Sequence, residues 1–187
     1  MNRRGAVQMC LEKSSWEKAV DFHGHACPGL AIGFRAAEAV LKIIGKQRDV
    51  DEELVAIVEN DSCAADAIQS VLSCTVGKGN MIFTNYGKQV FTVGSRKTGQ
   101  AVRVALKFNA LDKPADSKEE KMNQILAAPI NELFEIRETN LALPQKARIF
   151  QTLQCSNCGE GVMEIKARIK DGKIVCPACV EEYSRGW

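Results

Sequence analysis

Apolar residues at Trp16, Ala19 and Val20 fall on one helical face behind the Ser14-Ser15 pair, so the pattern predicts a helix over "SWEKAVDF". A second helix is predicted over "PGLAIGFRAAEAVLKIIG", with Pro28 at the first helical position and Gly45 past the end. Leu30, Phe34, Leu41 and Ile44 share one of its faces. Gly29, Gly33 and Ala37 recur every fourth residue and would let another backbone come close. "ELVAIVEN", 53 to 60, reads as a strand, and "CAADAIQSVLSC", 63 to 74, as a helix. "GKGN" turns the chain into the strand "MIFTNYG". "KQVFTVGS" and "AVRVALKF", joined by "RKTG", form a hairpin of β-branched and aromatic residues.

Strands that follow one another through short turns, with helices segregated around them, predict an α+β core of four strands and three helices, the sheet mixed or antiparallel. From 109 to 140 the pattern turns polar and helical, with capping-box spacing at Ser117 and Glu120 and Pro129 breaking the run before "INELFEIRE". "LALPQKAR" is the expected boundary, giving a core domain over 1–144 and a small second domain over 145–187.

Composition narrows the function classes. Apolar residues make up 45% of the 187, charged residues 26%, and 25 Lys and Arg against 23 Asp and Glu leave a net charge of +2. With no long basic run, nucleic acid and anionic membranes are not expected partners. The amino end lacks the apolar stretch of a secretory signal, and no later segment approaches the ~18 apolar residues of a membrane span, so the expected location is the cytoplasm. Four of the eight cysteines come as CxxC pairs, and Cys27 stands beside histidine. That usage points to metal and thiol chemistry in a reducing compartment.

"CSNC" and "CPAC" place Cys155, Cys158, Cys176 and Cys179 as two C-x2-C pairs seventeen residues apart. Two turns each presenting two thiolates can close a tetrahedron around zinc, and four thiolates leave no open position, so the expected role is structural. Asp171-Gly172 marks a hairpin turn that folds the second pair onto the first. "CPACVEEY" then opens a short helix, and the module resembles a treble clef. From 155 to 187 five basic residues (Lys166, Arg168, Lys170, Lys173, Arg185) balance five acidic ones (Glu160, Glu164, Asp171, Glu181, Glu182), so the module is a poor phosphate ligand despite the alternation of 166, 168 and 170 on one strand face.

The chain's two histidines stand together in "DFHGHACPGL", with Cys27 two residues after His25. An extended segment would point His23, His25 and Cys27 the same way. Pro28 disfavours helical geometry at Cys27, which places it at the N-cap of the next helix, where free amides and the helix dipole favour a thiolate. Imidazole and thiolate suit zinc, nickel, iron or copper. On a helix over 63–74, Cys63, Asp66, Ala67, Ser70 and Cys74 share a direction opposite to Ala64, Ile68, Val71 and Leu72. Eleven residues of helix separate the two cysteines by roughly 16 Å, too far for a disulfide. Cys63, at the helix start where the dipole also favours a thiolate, is the better partner for the histidine segment. The alternative is packing only: hydrogen-bonded histidines and small buried thiols. In "CTVGKGN", Lys78 can meet an anion, yet the stretch lacks the GxxxxGK[ST] pattern and a helix-to-strand turn explains its glycines equally well.

"FHGHACPGLAIGFRAA", "ENDSCAADAIQSVLSCTVGKGN" and the terminal cysteine pairs together resemble the family of the E subunit of formylmethanofuran dehydrogenase, in its form with an appended zinc finger. The resemblance implies an α+β core, a treble-clef zinc appendage, homodimers, and association with the larger subunits of a molybdenum dehydrogenase of one-carbon metabolism. It further implies a core site of His23, His25, Cys27, Cys63, Asp66, Gln69, Cys74, Lys78 and Asn80. Within it Cys27, Cys63, Asp66 and Lys78 are candidates for catalysis. Gln69, Cys74 and Asn80 are candidates for holding a small molecule, and His23, His25, Cys27 and Cys63 for a second soft metal, zinc or nickel. Ser73 departs from the family, which tends to carry glycine there. The expectation is a metal-binding accessory or redox protein. The alternatives are a stand-alone metal-dependent enzyme acting on a small substrate and a protein-interaction module with structural zinc only.

Overall fold

The structure is a computed structural model that describes residues 13–45, 51–140 and 143–181. The chain divides into two compact units, 1–146 and 147–187.

In the first unit, α1 (Ser15–His23) begins at a capping box: the Ser14 hydroxyl accepts the Glu17 amide while the Glu17 carboxylate accepts the Ser14 amide. It ends at Gly24, whose φ of 92° belongs to the left-handed region. Trp16 packs edge-on to Phe34 with ring centroids 5.2 Å apart. Helix α2 (Pro28–Ile44) starts at N-cap Cys27 and ends at left-handed Gly45, as the Pro and Gly positions predict. Ten of its residues are buried, so it is the spine of the core.

Strand β1 (Leu54–Val58) leads into α3 (Ala64–Leu72) and then β2 (Met81–Phe83), which returns parallel to β1. The hairpin of β3 (Val90–Ser95) and β4 (Ala101–Leu106) follows, with Thr92 opposite Arg103 and Val93 opposite Val102. After α4 (Lys118–Ala127), capped by Ser117, and the single turn α5 (Ile130–Leu133), β5 (Phe134–Thr139) pairs antiparallel with β4. The sheet order is β2-β1-β3-β4-β5, mixed because only β1 and β2 are parallel. The fold class is α+β.

The fifth strand corrects the expectation of helix through 140. In "FEIRET" the buried Phe134 and half-buried Ile136 alternate with exposed Glu135 and Arg137, a two-residue period that an open strand beside β4 rewards.

Helices α2 and α3 meet backbone to backbone. A Cβ on Gly33 would lie 2.2 Å from the carbonyl oxygen of Ala64 and 2.7 Å from its Cα, so only glycine fits. The stripe of small residues on α2 thus does what the sequence implied. It sets the distance between the element that follows the histidine segment and the element that begins at Cys63.

The second unit holds two hairpins, β6 (Thr152–Gln154) with β7 (Gly161–Met163) and β8 (Arg168–Lys170) with β9 (Lys173–Val175). Asp171 and Gly172, with φ of 51° and 73°, make the second turn as expected. Lys166 sits in a 3-10 turn (Glu164–Lys166) rather than on the strand with Arg168 and Lys170, which breaks the expected basic alternation. The segment after Cys176 is a 3-10 turn over Pro177–Cys179; the remainder of the helix expected there, from 182 on, lies outside the described residues.

Candidate functional site

Gly24 supplies the turn that converges the histidine segment. His23 is the last residue of α1, Gly24 reverses the chain, and Cys27 begins α2 with an extended backbone (φ −152°, ψ 162°). One ligand atom from each of His23, His25 and Cys27 lies within 4.8 Å of the others, and the two rings stand 4.6 Å apart. The convergence comes from a helix end and a left-handed turn, not from the extended run that the two-residue spacing suggested.

The N-cap geometry of Cys27 is as expected, and its Sγ accepts the Leu30 amide at 3.3 Å. His23 Nε2 lies 3.7 Å from that sulfur. The other ring nitrogen, Nδ1, is 2.7 Å from Asp66 Oδ2. A carboxylate only accepts, so Nδ1 carries a hydrogen, and the other ring nitrogen, Nε2, is turned toward Cys27. Gln69 Nε2 donates to the other oxygen of Asp66 at 3.4 Å, one helical turn along α3.

Cys63, at the start of α3, adjoins Cys27 but stands outside the converging donors His23, His25 and Cys27. Its Sγ and that of Cys27 both lie within 4.0 Å of the place a Cβ on Gly29 would take, and such a Cβ would be 3.1 Å from Cys63 Cβ. Gly29 is therefore part of the site although it bears no chemistry, and the four-residue spacing of small residues is the signal that finds it. Burial pushes the Cys63 thiol above its ordinary value, and the hydrogen bond and charge of Cys27 add to the effect. That reverses the expectation that the helix start would favour its thiolate: desolvation beside a second thiol outweighs the dipole. The loop before Cys63 is braced by Asn60, whose Oδ1 accepts the Ser62 amide at 3.2 Å and the Ser62 hydroxyl at 2.8 Å, while its Nδ2 donates to the Lys88 carbonyl.

The remaining motif residues stand at the other end of α3. Ser73 takes a left-handed φ of 61° and ends the helix, so the row of side chains projected from Cys63 does not continue to Cys74, which is fully buried in the apolar core. Asn80 is buried too; its side chain accepts the Thr75 amide at 2.9 Å and donates to the Leu54 carbonyl at 3.0 Å, tying the "CTVGKGN" turn to β1. Lys78 Nζ donates to the Asp51 carbonyl at 2.7 Å. The contacts thus gather His23, His25, Cys27, Cys63, Asp66 and Gln69 in one place and give Cys74 and Asn80 to the framework.

In the second unit, one ligand atom from each of Cys155, Cys158, Cys176 and Cys179 lies within 4.8 Å of the others. The Cys158 and Cys176 sulfurs are 3.9 Å apart, close to the ~3.8 Å edge of a tetrahedron with zinc to sulfur at about 2.3 Å. Amides of Cys158 and Cys176 point at the Cys155 sulfur and lower its pKa to about 6. Four converging thiols, one already poised as thiolate, fit a structural zinc.

Residues 22–159 match the family described as FmdE, Molybdenum formylmethanofuran dehydrogenase operon. The chain belongs to the FmdE family. Residues 148–185 of this FmdE-family protein also match the prokaryotic dksA/traR C4-type zinc finger. A crystal structure of a tungsten formylmethanofuran dehydrogenase FmdE-like protein from Syntrophus aciditrophicus has the same fold. It aligns with a TM-score of 0.67 at 23% identity, covering 87% of this chain and 88% of that one. A probable S-adenosyl-L-methionine-binding protein of Archaeoglobus fulgidus is 28% identical over 196 residues. That alignment takes in 89% of this FmdE-family chain and 52% of the relative, so the chain spans about half of that protein's length. No described helix is long and apolar enough to cross a membrane.

Proposed function

We propose that the core cluster is a soft-metal site with His23, His25, Cys27 and Cys63 as donors. On this reading the protein is a metal-binding accessory or redox component related to the E subunit of molybdenum formylmethanofuran dehydrogenase, acting in one-carbon metabolism as a cytoplasmic homodimer. The family membership supports the broader assignment. The observation that carries the metal site is the His23 ring, held by Asp66 at 2.7 Å through Nδ1 and facing Cys27 through Nε2. A carboxylate behind an imidazole is the arrangement that orients metal-ligating histidines.

Mixed imidazole and thiolate donors select zinc or nickel over magnesium, and such an ion supplies Lewis acidity. The chain's own residues do the positioning. Asp66 fixes the His23 tautomer, Gln69 steadies Asp66, and the Leu30 amide holds the Cys27 sulfur. His25 is exposed and is the donor that a small ligand would replace, since four protein donors leave no open position on a tetrahedral ion. Metal content measured by plasma emission spectrometry tests the proposal: two ions per chain in wild type, with one lost from His25→Ala, from Cys63→Ala and from the double variant alike. A single ion per chain in wild type would leave only the terminal zinc and reduce the protein to an interaction module.

The Archaeoglobus fulgidus relative favours a second reading, in which the exposed side of the cluster takes S-adenosyl-L-methionine. Titration calorimetry of the metal-loaded protein with that compound decides it.

A further inference from the structure

Among the described residues three cysteines lie outside the terminal cluster: Cys27, Cys63 and Cys74. Cys74 is fully buried beyond the end of α3, whereas Cys27 and Cys63 are partly exposed and stand at the starts of α2 and α3. The atoms nearest to the point that a Cβ on Gly29 would take are Cys63 Cβ at 3.1 Å, Cys63 Sγ at 3.7 Å and Cys27 Sγ at 4.0 Å. Gly29 therefore leaves a small space walled by the two thiols. Each sulfur can turn into it by rotation about one side-chain torsion.

The framework keeps the pair together. Gly33 seats α2 on the backbone of Ala64, the residue after Cys63, so the two helix starts cannot drift apart. Ser62 holds the other side of Cys63: its hydroxyl accepts the Ala64 amide at 3.3 Å and the Gln89 side-chain amide at 3.0 Å. Two partly exposed thiols fixed against one gap are in the arrangement that a disulfide requires, with rotation of the side chains sufficient to join them.

We propose that Cys27 and Cys63 are a dithiol that exchanges with small disulfides of the glutathione class and closes to a Cys27–Cys63 bond. One protein sulfur attacks the small disulfide, breaking its S–S bond and releasing one thiol. The second protein sulfur then attacks the mixed disulfide and releases the other. Two electrons and two protons pass from the protein to the small disulfide, which leaves as two thiols. Where the core holds a soft ion, the same bond takes away two of its four donors, so oxidation empties the site. That consequence rests on the metal reading of the cluster; the bond itself does not.

The full chain, equilibrated in mixtures of oxidised and reduced glutathione, digested with trypsin without reduction and mapped by mass spectrometry, tests the pair. The peptides carrying Cys27 and Cys63 should be found joined. The tryptic fragment that holds Cys63, 49–78, also holds Cys74, so Cys63→Ser must abolish the joined species and leave a glutathione adduct on Cys27 in its place. Cys27→Ser is the mirror variant, with the adduct on Cys63. With free metal at about ten times its Kd the joining should slow roughly tenfold, because only the unloaded fraction reacts. No joined species at any glutathione ratio, a joined species that survives Cys63→Ser, or Cys27 linked to another cysteine overturns the proposal. A single ion per chain in the reduced wild type, with the joined species still formed, defeats the metal reading and leaves the dithiol standing.

Discussion

Asp66 Oδ2 sits 2.7 Å from Nδ1 of His23, across 43 positions of sequence. This single hydrogen bond joins the end of α1 to the first turn of α3, and it aims the other ring nitrogen of His23 at Cys27. The behaviour of the cluster should follow from it.

Asp66→Asn keeps the size and a hydrogen-bonding oxygen but removes the charge that orients the ring. Core metal affinity should fall about 10–100-fold, as it does elsewhere when the group bracing a metal ligand is changed, with the far-ultraviolet circular dichroism unchanged. Equilibrium dialysis against a competing chelator reads the affinity. An unaltered constant would mean that His23 is oriented by packing and that Asp66 is incidental.

Cys176→Ser removes one of four thiolates from the terminal cluster, where metal binding is also folding energy. Zinc should be released and residues 147–187 should exchange their amide hydrogens freely, while the sheet strands stay protected. Hydrogen exchange with mass spectrometry resolves the two units in one measurement. Loss of protection in both together would show that the units fold as one.

Gly33→Ala places a methyl group 2.2 Å from the Ala64 carbonyl oxygen, so α2 and α3 must part. The expected loss is about 3 kcal/mol or more, at the upper end for overpacking. Urea denaturation reads it, and the core metal should leave together with the stability. A variant as stable as wild type would show that the helices can separate freely.

Ser73→Gly should act in the opposite direction. Serine at φ 61° carries left-handed strain that glycine does not, and relief is expected to raise stability by about 0.5–1 kcal/mol in spite of glycine's greater freedom in the unfolded chain. A thermal melt of the first unit measures the gain. A fall in Tm would mean that the serine side chain makes a compensating contact.

Most of the framework could be read from the chain because its signals are local. Ser14 with Glu17, Pro28 and Gly45 mark helix ends by backbone chemistry that needs no tertiary context. The β3–β4 hairpin follows from alternation and a glycine turn. β5 was hidden because "INELFEIRE" offers helical spacing as well as alternation, and only the open edge of β4 decides between them. In the site, the nearness of His23, His25 and Cys27 was legible from spacing. The roles of Cys74 and Asn80 were not, because a helical projection carried past Ser73 assumes a helix that a left-handed residue has already stopped. The high thiol value of Cys63 was equally out of reach, since it depends on burial against Cys27 from another helix.

The contact of Gly33 with the Ala64 backbone bears on how the cluster can exchange what it holds. The two ligand-bearing segments are carried by helices whose main chains already touch, and a hinge between them would have to unpack the spine of the core. On the proposed reading, what the cluster holds enters and leaves by rotation of side chains, above all the exposed His25, and not by parting of the walls. The arrangement is a socket with one swinging latch, not a jaw.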